Sequence, residues 1–133
     1  MIVDSSAIVA IWLGEPAAVA LSKILLDEPQ VSMSAATYVE LCCVLDNRRA
    51  PENGRRLDSL LEDYGIDIVS FTPEQAKLAR SAYRDFGKGS GHAAQLNLGD
   101  CFSYALASQT GEALLFTGED FSHTDLVPAW PAQ

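Results

Sequence analysis

Four acidic residues stand where a folded chain has little structural use for a charge: Asp4, Glu40, Asp100 and Asp120. Asp4 closes the apolar run Met1-Ile2-Val3 and is followed by SSAIVAI. Glu40 is the single charge in AATYVELCCVL, residues 35–45. An unpaired charge in so apolar a helix is strongly unfavourable unless it is neutralised or paired. Asp100 lies in the segment NLGDCF, between a small residue and apolar ones, and Asp120 lies in TGEDF with Glu119 beside it as the alternative. Each also has an ordinary reading. Asp4 can cap a helix, Glu40 can pair with Arg48, Arg49 or another Arg, Asp100 can close an N-x-x-D cap, and Asp120 can sit in a polar turn. Asp27, Glu28, Glu52, Asp58, Glu62, Asp63, Glu74 and Asp85 fall on polar faces or helix ends and read as solvated charge.

Oxygen-only ligands suit Mg²⁺ or Mn²⁺ over softer ions, and such ions on a carboxylate cluster imply phosphodiester chemistry, with an activated water and a stabilised leaving oxygen. The formal charge of −9 argues against a nucleic-acid binder with a large basic surface. It does not argue against a metal-dependent nuclease, because bound cations reverse the local field. The loop Gly87-Lys88-Gly89-Ser90-Gly91-His92 is no phosphate-binding P-loop, since Ala82 replaces the leading glycine and Gly89 the Ser or Thr. Lys88 and His92 are candidate RNA-phosphate contacts or parts of a solvated connector, with His92 a secondary candidate for a general base. Arg48, Arg49, Arg55 and Arg56 read as a solvated helix end or a backbone-tracking groove. His123 reads as surface, and Trp12 and Trp130 as packing residues.

The acids need elements to hold them. Short strands are expected at 1–3, 30–33, 66–71 and 113–117, and helices at 5–13, 16–27, 35–47, around 57–64, 73–86 and 97–110. Ser34 and the Thr72-Pro73-Glu74-Gln75 capping box mark two helix starts, and Gly14, Gly65, Gly87 and Gly111 mark ends. On the helix after Thr72, the residues Ala79, Ala82, Tyr83 and Phe86 form the expected buried stripe. Strands alternating with helices imply parallel crossovers, hence a three-layer α/β/α sandwich with a central parallel sheet. With 133 residues, 48% of them hydrophobic, one domain spans 1–133. The three cysteines, Cys42, Cys43 and Cys101, have no disulfide or zinc spacing and read as apolar fillers in a reducing cytoplasm. The N-terminus lacks a basic n-region, and its uncharged run is too short for a membrane span.

Taken in order, MIVDSSAIVAI, YVEL, GKGSGH…LNLGDCFSYALA and LLFTGEDF resemble the PIN domain, and more narrowly the VapC toxins of bacterial toxin–antitoxin pairs. The resemblance spans essentially the whole chain. It implies a Mg²⁺-dependent endoribonuclease, usually a homodimer, held inactive by a VapB-like antitoxin. It further implies that Asp4, Glu40, Asp100 and Asp120 bind metal, with a hydroxyl such as that of Ser6 or Thr117 assisting. Ala93 stands where the family often has Pro. An acidic pocket invites an Arg from an inhibitor, and Ile11, Trp12, Leu13 and Leu21 are the expected groove for an amphipathic helix of that partner. Other classes fit less well. A phosphoacceptor receiver domain needs paired acids after the first strand and a Lys after the last. A haloacid-dehalogenase-like phosphatase needs an Asp where Ser6 stands. A catalytically inactive module with an acidic divalent-metal pocket has no use for all four acids.

Overall fold

The structure, a computed structural model, describes residues 1–46 and 52–130. Its elements are β1 (Ile2–Val3), α1 (Ser5–Trp12), α2 (Ala18–Asp27), β2 (Val31–Ser34), α3 (Ala35–Leu45), α4 (Glu52–Asp63), β3 (Ile66–Val69), α5 (Pro73–Phe86), α6 (Leu98–Thr110) and β4 (Leu114–Leu115), with a 3₁₀ turn at Asp120–His123. The four strands are all parallel, in the order β3-β2-β1-β4. Ile2 is in register with Ser32 on one side and Leu114 on the other.

Alternation along the strands builds the three layers, because successive side chains point to opposite faces. Val3 and Leu115 join Ile8, Leu21, Leu25, Met33, Leu41 and Leu57 in one core. Ile2 and Leu114 join Leu96, Cys101, Ala105 and Phe116 in the other. The sandwich expected from the strand–helix alternation is therefore the observed fold. α5 and α6 run antiparallel: Gln75 Nε2 donates to Gln109 Oε1 at 2.9 Å at one end, and Leu96 N donates to Phe86 O at 2.8 Å at the other. This hairpin fills the passage from β3, at one edge of the sheet, to β4 at the other.

Several expectations shift by local chemistry. β4 is shorter than 113–117 because its partner β1 ends where Asp4 turns into α1; Asp4 N donates to Leu115 O at 2.9 Å, beyond which the contact between the two passes to side chains. α2 starts at Ala18, since Pro16 and Ala17 belong to a turn in which Ala18 N donates to Glu15 O at 2.9 Å. Only half of the Thr72 capping box forms. Thr72 Oγ1 accepts from Gln75 N at 3.2 Å, while the Gln75 side chain is buried and turned toward Gln109. Tyr83 lies on the outer face of α5 with 42% of its surface exposed, and Gln75 takes its expected place in the inner stripe. Leu21 is core and cannot line the groove expected with Ile11, Trp12 and Leu13; Leu13, Val19 and Leu26 are the exposed large apolar residues of that region. Arg48 and Arg49 lie outside the described residues. No helix among those described is long and apolar enough to cross a membrane.

Adjacent leucines on α2 test its orientation. Leu25 is 1% exposed and Leu26 66%. Leu25→Ala should cost about 2–5 kcal/mol by denaturant unfolding and Leu26→Ala less than about 0.5. Equal losses would mean that α2 does not pack as described.

Candidate active site

In an open parallel sheet, ligands collect outside the carboxyl ends of strands where the strand order reverses. Here that point lies between β1 and β4, since the chain leaves β1 toward β2 and β3 and returns on the opposite side. Asp4 follows β1 directly, is 2% exposed, and caps α1, with Ser6 N donating to Oδ2 at 3.0 Å. Its other oxygen accepts from Ser103 Oγ. The Ser103 hydroxyl in turn lies 3.2 Å from Thr37 Oγ1, and all three side chains are buried. Capping and site-building are thus one role at Asp4, because a side chain folded back to cap its own helix is fixed at the strand edge.

Glu40 reaches the same place from α3. Ser5 Oγ donates to its Oε1 at 3.0 Å. The other oxygen lies against Gly99, so closely that a Cβ added there would fall 1.4 Å from Oε2. Glu40 titrates above the usual carboxylate range, raised by burial and by the Asp4 charge against the opposing Ser5 hydrogen bond. Asp100 sits in the first turn of α6 within a full capping box. Its backbone N–H donates to Asn97 Oδ1 at 2.8 Å, and Asn97 N donates to Asp100 Oδ2 at 3.0 Å. Burial first, and then the charges of Asp4, Asp120 and Glu40, push Asp100 up to about 7 against the Asn97 N–H bond.

Asp120 opens the 3₁₀ turn after β4 and belongs to the group of charges acting on Asp100. Glu119 instead lines a cleft with Glu15, Thr117 and Trp130. Ser6 and Thr117 stitch the two strand ends together: Thr117 N donates to Ser6 Oγ at 3.1 Å and Thr117 Oγ1 to Ser6 O at 3.5 Å. Lys88 and His92 are held by their own loop. Lys88 N donates to Leu96 O at 2.9 Å. His92 Nδ1 accepts from Ala94 N at 3.1 Å, and its ring packs edge-on against Phe86. Ser5, Thr37, Asn97, Gly99 and Ser103 were not singled out as site residues from the sequence. The usable signals were a buried-looking serine one turn after Asp100 and a glycine beside it.

Among the described residues, no group of three or more His, Cys, Asp or Glu side chains is placed so that together they could hold a metal ion. Mg²⁺ does not require such a group, since it is commonly bound through one or two carboxylates and keeps several waters. The donor set fits such an ion in its chemistry, since the site acids offer only oxygen. The N-termini of α1 and α6 both meet the cluster and partly offset its negative charge.

The PIN domain model matches residues 1–126. The chain belongs to the PIN domain family. Within it, this PIN domain is 56% identical to a VapC ribonuclease of Mycobacterium bovis over 129 residues, covering 97% of this chain and 98% of the relative. It is 50% identical to ribonuclease VapC28 of Mycobacterium tuberculosis over 129 residues, covering 97% of each. Likeness at this level places it among the VapC ribonucleases. Among solved structures, Mycobacterium tuberculosis VapC20, described as a sarcin–ricin loop cleaving toxin, superposes with a TM-score of 0.72 at 19% identity, covering 98% of each chain. VapBC2 of Rickettsia felis, bound to a promoter DNA fragment, gives a TM-score of 0.74 at 14% identity, again over 98% of each. These two show the shared fold.

Two outcomes test the geometry. The atoms nearest to an added Cβ at Gly99 all belong to the flexible end of Glu40, so Gly99→Ala should fold with little change in melting temperature. It should nevertheless lower RNA cleavage on the order of a hundredfold by displacing that carboxylate. Cleavage near the parent rate would show that Glu40 need not sit there. The second outcome concerns pH in the presence of chelator. Asp100 moves from 3.8 to about 7 on folding, so between those values the folded chain holds a proton that the unfolded chain has released, and stability falls as pH rises. Melting temperatures across this window should decline, and Asp100→Asn, which keeps the cap acceptor, should flatten the decline. An unchanged profile in the variant would place the titration elsewhere.

Proposed function

We propose that this chain is a metal-dependent endoribonuclease that hydrolyses RNA phosphodiester bonds at Asp4, Glu40, Asp100 and Asp120 and serves as the toxin of a toxin–antitoxin pair. One observation carries the chemistry. Carboxylates at the end of β1, on α3 and α6 and in the turn after β4 face the switch point, where burial first and then their mutual charge push Asp100 up to about 7. A fold that wanted only stability would have paired or dispersed them. The names of the relatives support RNA as the substrate.

When bound, Mg²⁺ or Mn²⁺ lowers the pKa of a water and neutralises charge on the phosphate. The chain's own residues supply the rest. Asp4 and Asp100 are fixed by hydrogen bonds from neighbouring backbone and hydroxyl groups, so each presents its remaining lone pairs in one orientation. Glu40, held by Ser5 and pressed on Gly99, closes the site from the α3 side. Asp120, exposed on its turn, is the acid nearest to solvent and suits the approach of substrate. Ser6 and Thr117 lock the two strand ends and so set the separation of the acids they flank.

A VapB-like antitoxin would cover Leu13, Val19 and Leu26 with an apolar helix and offer an Arg to the acids. The working form is a homodimer in the cytoplasm, with Val39 and Val44 exposed on α3 as surface for a second copy. The decisive measurement is cleavage of labelled RNA by the purified chain. Mg²⁺ or Mn²⁺ should support it, EDTA should stop it, and Asp4→Asn should lower it by at least about a hundredfold. Undiminished cleavage in excess chelator would point to a metal-free ribonuclease using His92. Growth unaffected by expression of the chain alone would remove the toxin reading while leaving the nuclease intact.

A further inference from the structure

The chain carries nine Lys and Arg against eighteen Asp and Glu, yet one of its clefts is lined by Lys77, Arg80, Ser81, Tyr83 and Arg84, with no acid among them. Lys77, Arg80 and Arg84 fall at i, i+3 and i+7 on α5 and therefore share one face of the helix. Lys88 continues the same spacing just beyond the helix end. Tyr83 adds an aromatic ring that is 42% exposed. Arg84 is shared with Asp85 at 2.9 Å, but both partners are largely exposed, and such pairs exchange at little cost.

The direction of this row matters. Gln75 on α5 meets Gln109 near the end of α6, while Phe86 meets Leu96 just before α6 begins. The basic row therefore climbs toward the end of the hairpin that carries Asp100. Its length from Lys77 to Arg84 is about 10 Å at helical rise, enough for two or three successive phosphates of a single strand.

We propose that the outer face of α5 is a docking track for the backbone of single-stranded RNA, with Lys77, Arg80 and Arg84 neutralising phosphates and Tyr83 stacking on a base. Charge complementarity selects this occupant, because on a chain of formal charge −9 this cleft is lined by cations with no acid among them, and an aromatic ring among cations is the common arrangement for single strands. The inference rests on RNA being the substrate, and it explains how so acidic a nuclease holds it.

The test is binding of a fluorescent 12-nucleotide oligouridylate in the Asp100→Asn background, which keeps the probe intact, read as affinity against salt. Each phosphate contact contributes about 0.7 to the slope of log K on log salt for single strands. Lys77→Gln/Arg80→Gln/Arg84→Gln should therefore reduce the slope by about 2 and weaken binding at low salt by tenfold or more, with unchanged melting temperature. Lys23→Gln/Arg55→Gln/Arg56→Gln makes the same change in net charge on α2 and α4 and should do much less. Equal losses in the two variants would overturn the proposal in favour of diffuse charge. It would also fall if the α5 variant bound as its parent does, or changed only the oligomeric state and so marked α5 as a contact between copies. Binding that shows the expected loss, by a chain that cleaves no RNA, would keep the track and remove the nuclease reading.

Discussion

Like charges brought together in a partly dry place repel, and the rest of this molecule is arranged around tolerating that repulsion. Burial first, and then the charges of Asp4, Asp120 and Glu40, keep Asp100 far above its ordinary titration range. Each of the three more buried acids is held by a donor that a neighbouring segment supplies: Ser6 N and Ser103 Oγ for Asp4, Ser5 Oγ for Glu40, and Asn97 N for Asp100. Two of these donors are backbone groups at helix starts, where N–H groups are left free by helix geometry. The same free ends add partial positive charge. The fold thus brings two helix N-termini to the one edge where negative charge is concentrated.

This sharing dissolves an apparent choice. A capping carboxylate and a site carboxylate look like competing explanations when only the sequence is in view. At Asp4 and Asp100 the structure shows the cap in full, and the cap is what aims the side chain. Glu40 lacks a cap and is positioned by contact instead, with its end fitted into the space that Gly99 leaves open. The buried Thr37–Ser103–Asp4 chain adds a polar link through the interior between α3, α6 and the end of β1, beside an apolar core.

The layered parallel fold was legible because its signals are local: alternating strand residues, caps such as Ser34 and Asn97, and terminators such as Gly65 and Gly111. The acids stood out for the same reason, as charges in apolar surroundings. What escaped was whatever depends on a partner distant in sequence. Gln75 completes a good capping box on paper, but Gln109 draws its side chain away. Tyr83 has helix-core spacing, yet α6 presents its flank to Ala79 and Ala82 and leaves the ring outside. Ser103 is an unremarkable serine until β1 is laid beside α6. The basic row on α5 was hidden in a different way, since its members are spread thinly through the sequence while Arg48, Arg49, Arg55 and Arg56 cluster in it.

The pairing of the first strand with the last has a bearing on when such a site comes into being. Ile2 and Val3 lie in register with Leu114 and Leu115, so the edge that gathers the acids closes across almost the whole length of the polypeptide. Contacts so far apart in sequence are late and slow to form. During synthesis, Asp4 and Glu40 emerge early and wait without Asp100 and Asp120. A nascent chain on the ribosome therefore carries Asp4 and Glu40 without Asp100 and Asp120 until α6 and the turn after β4 have been made. The topology itself delays the meeting of these four residues until β4 has been made.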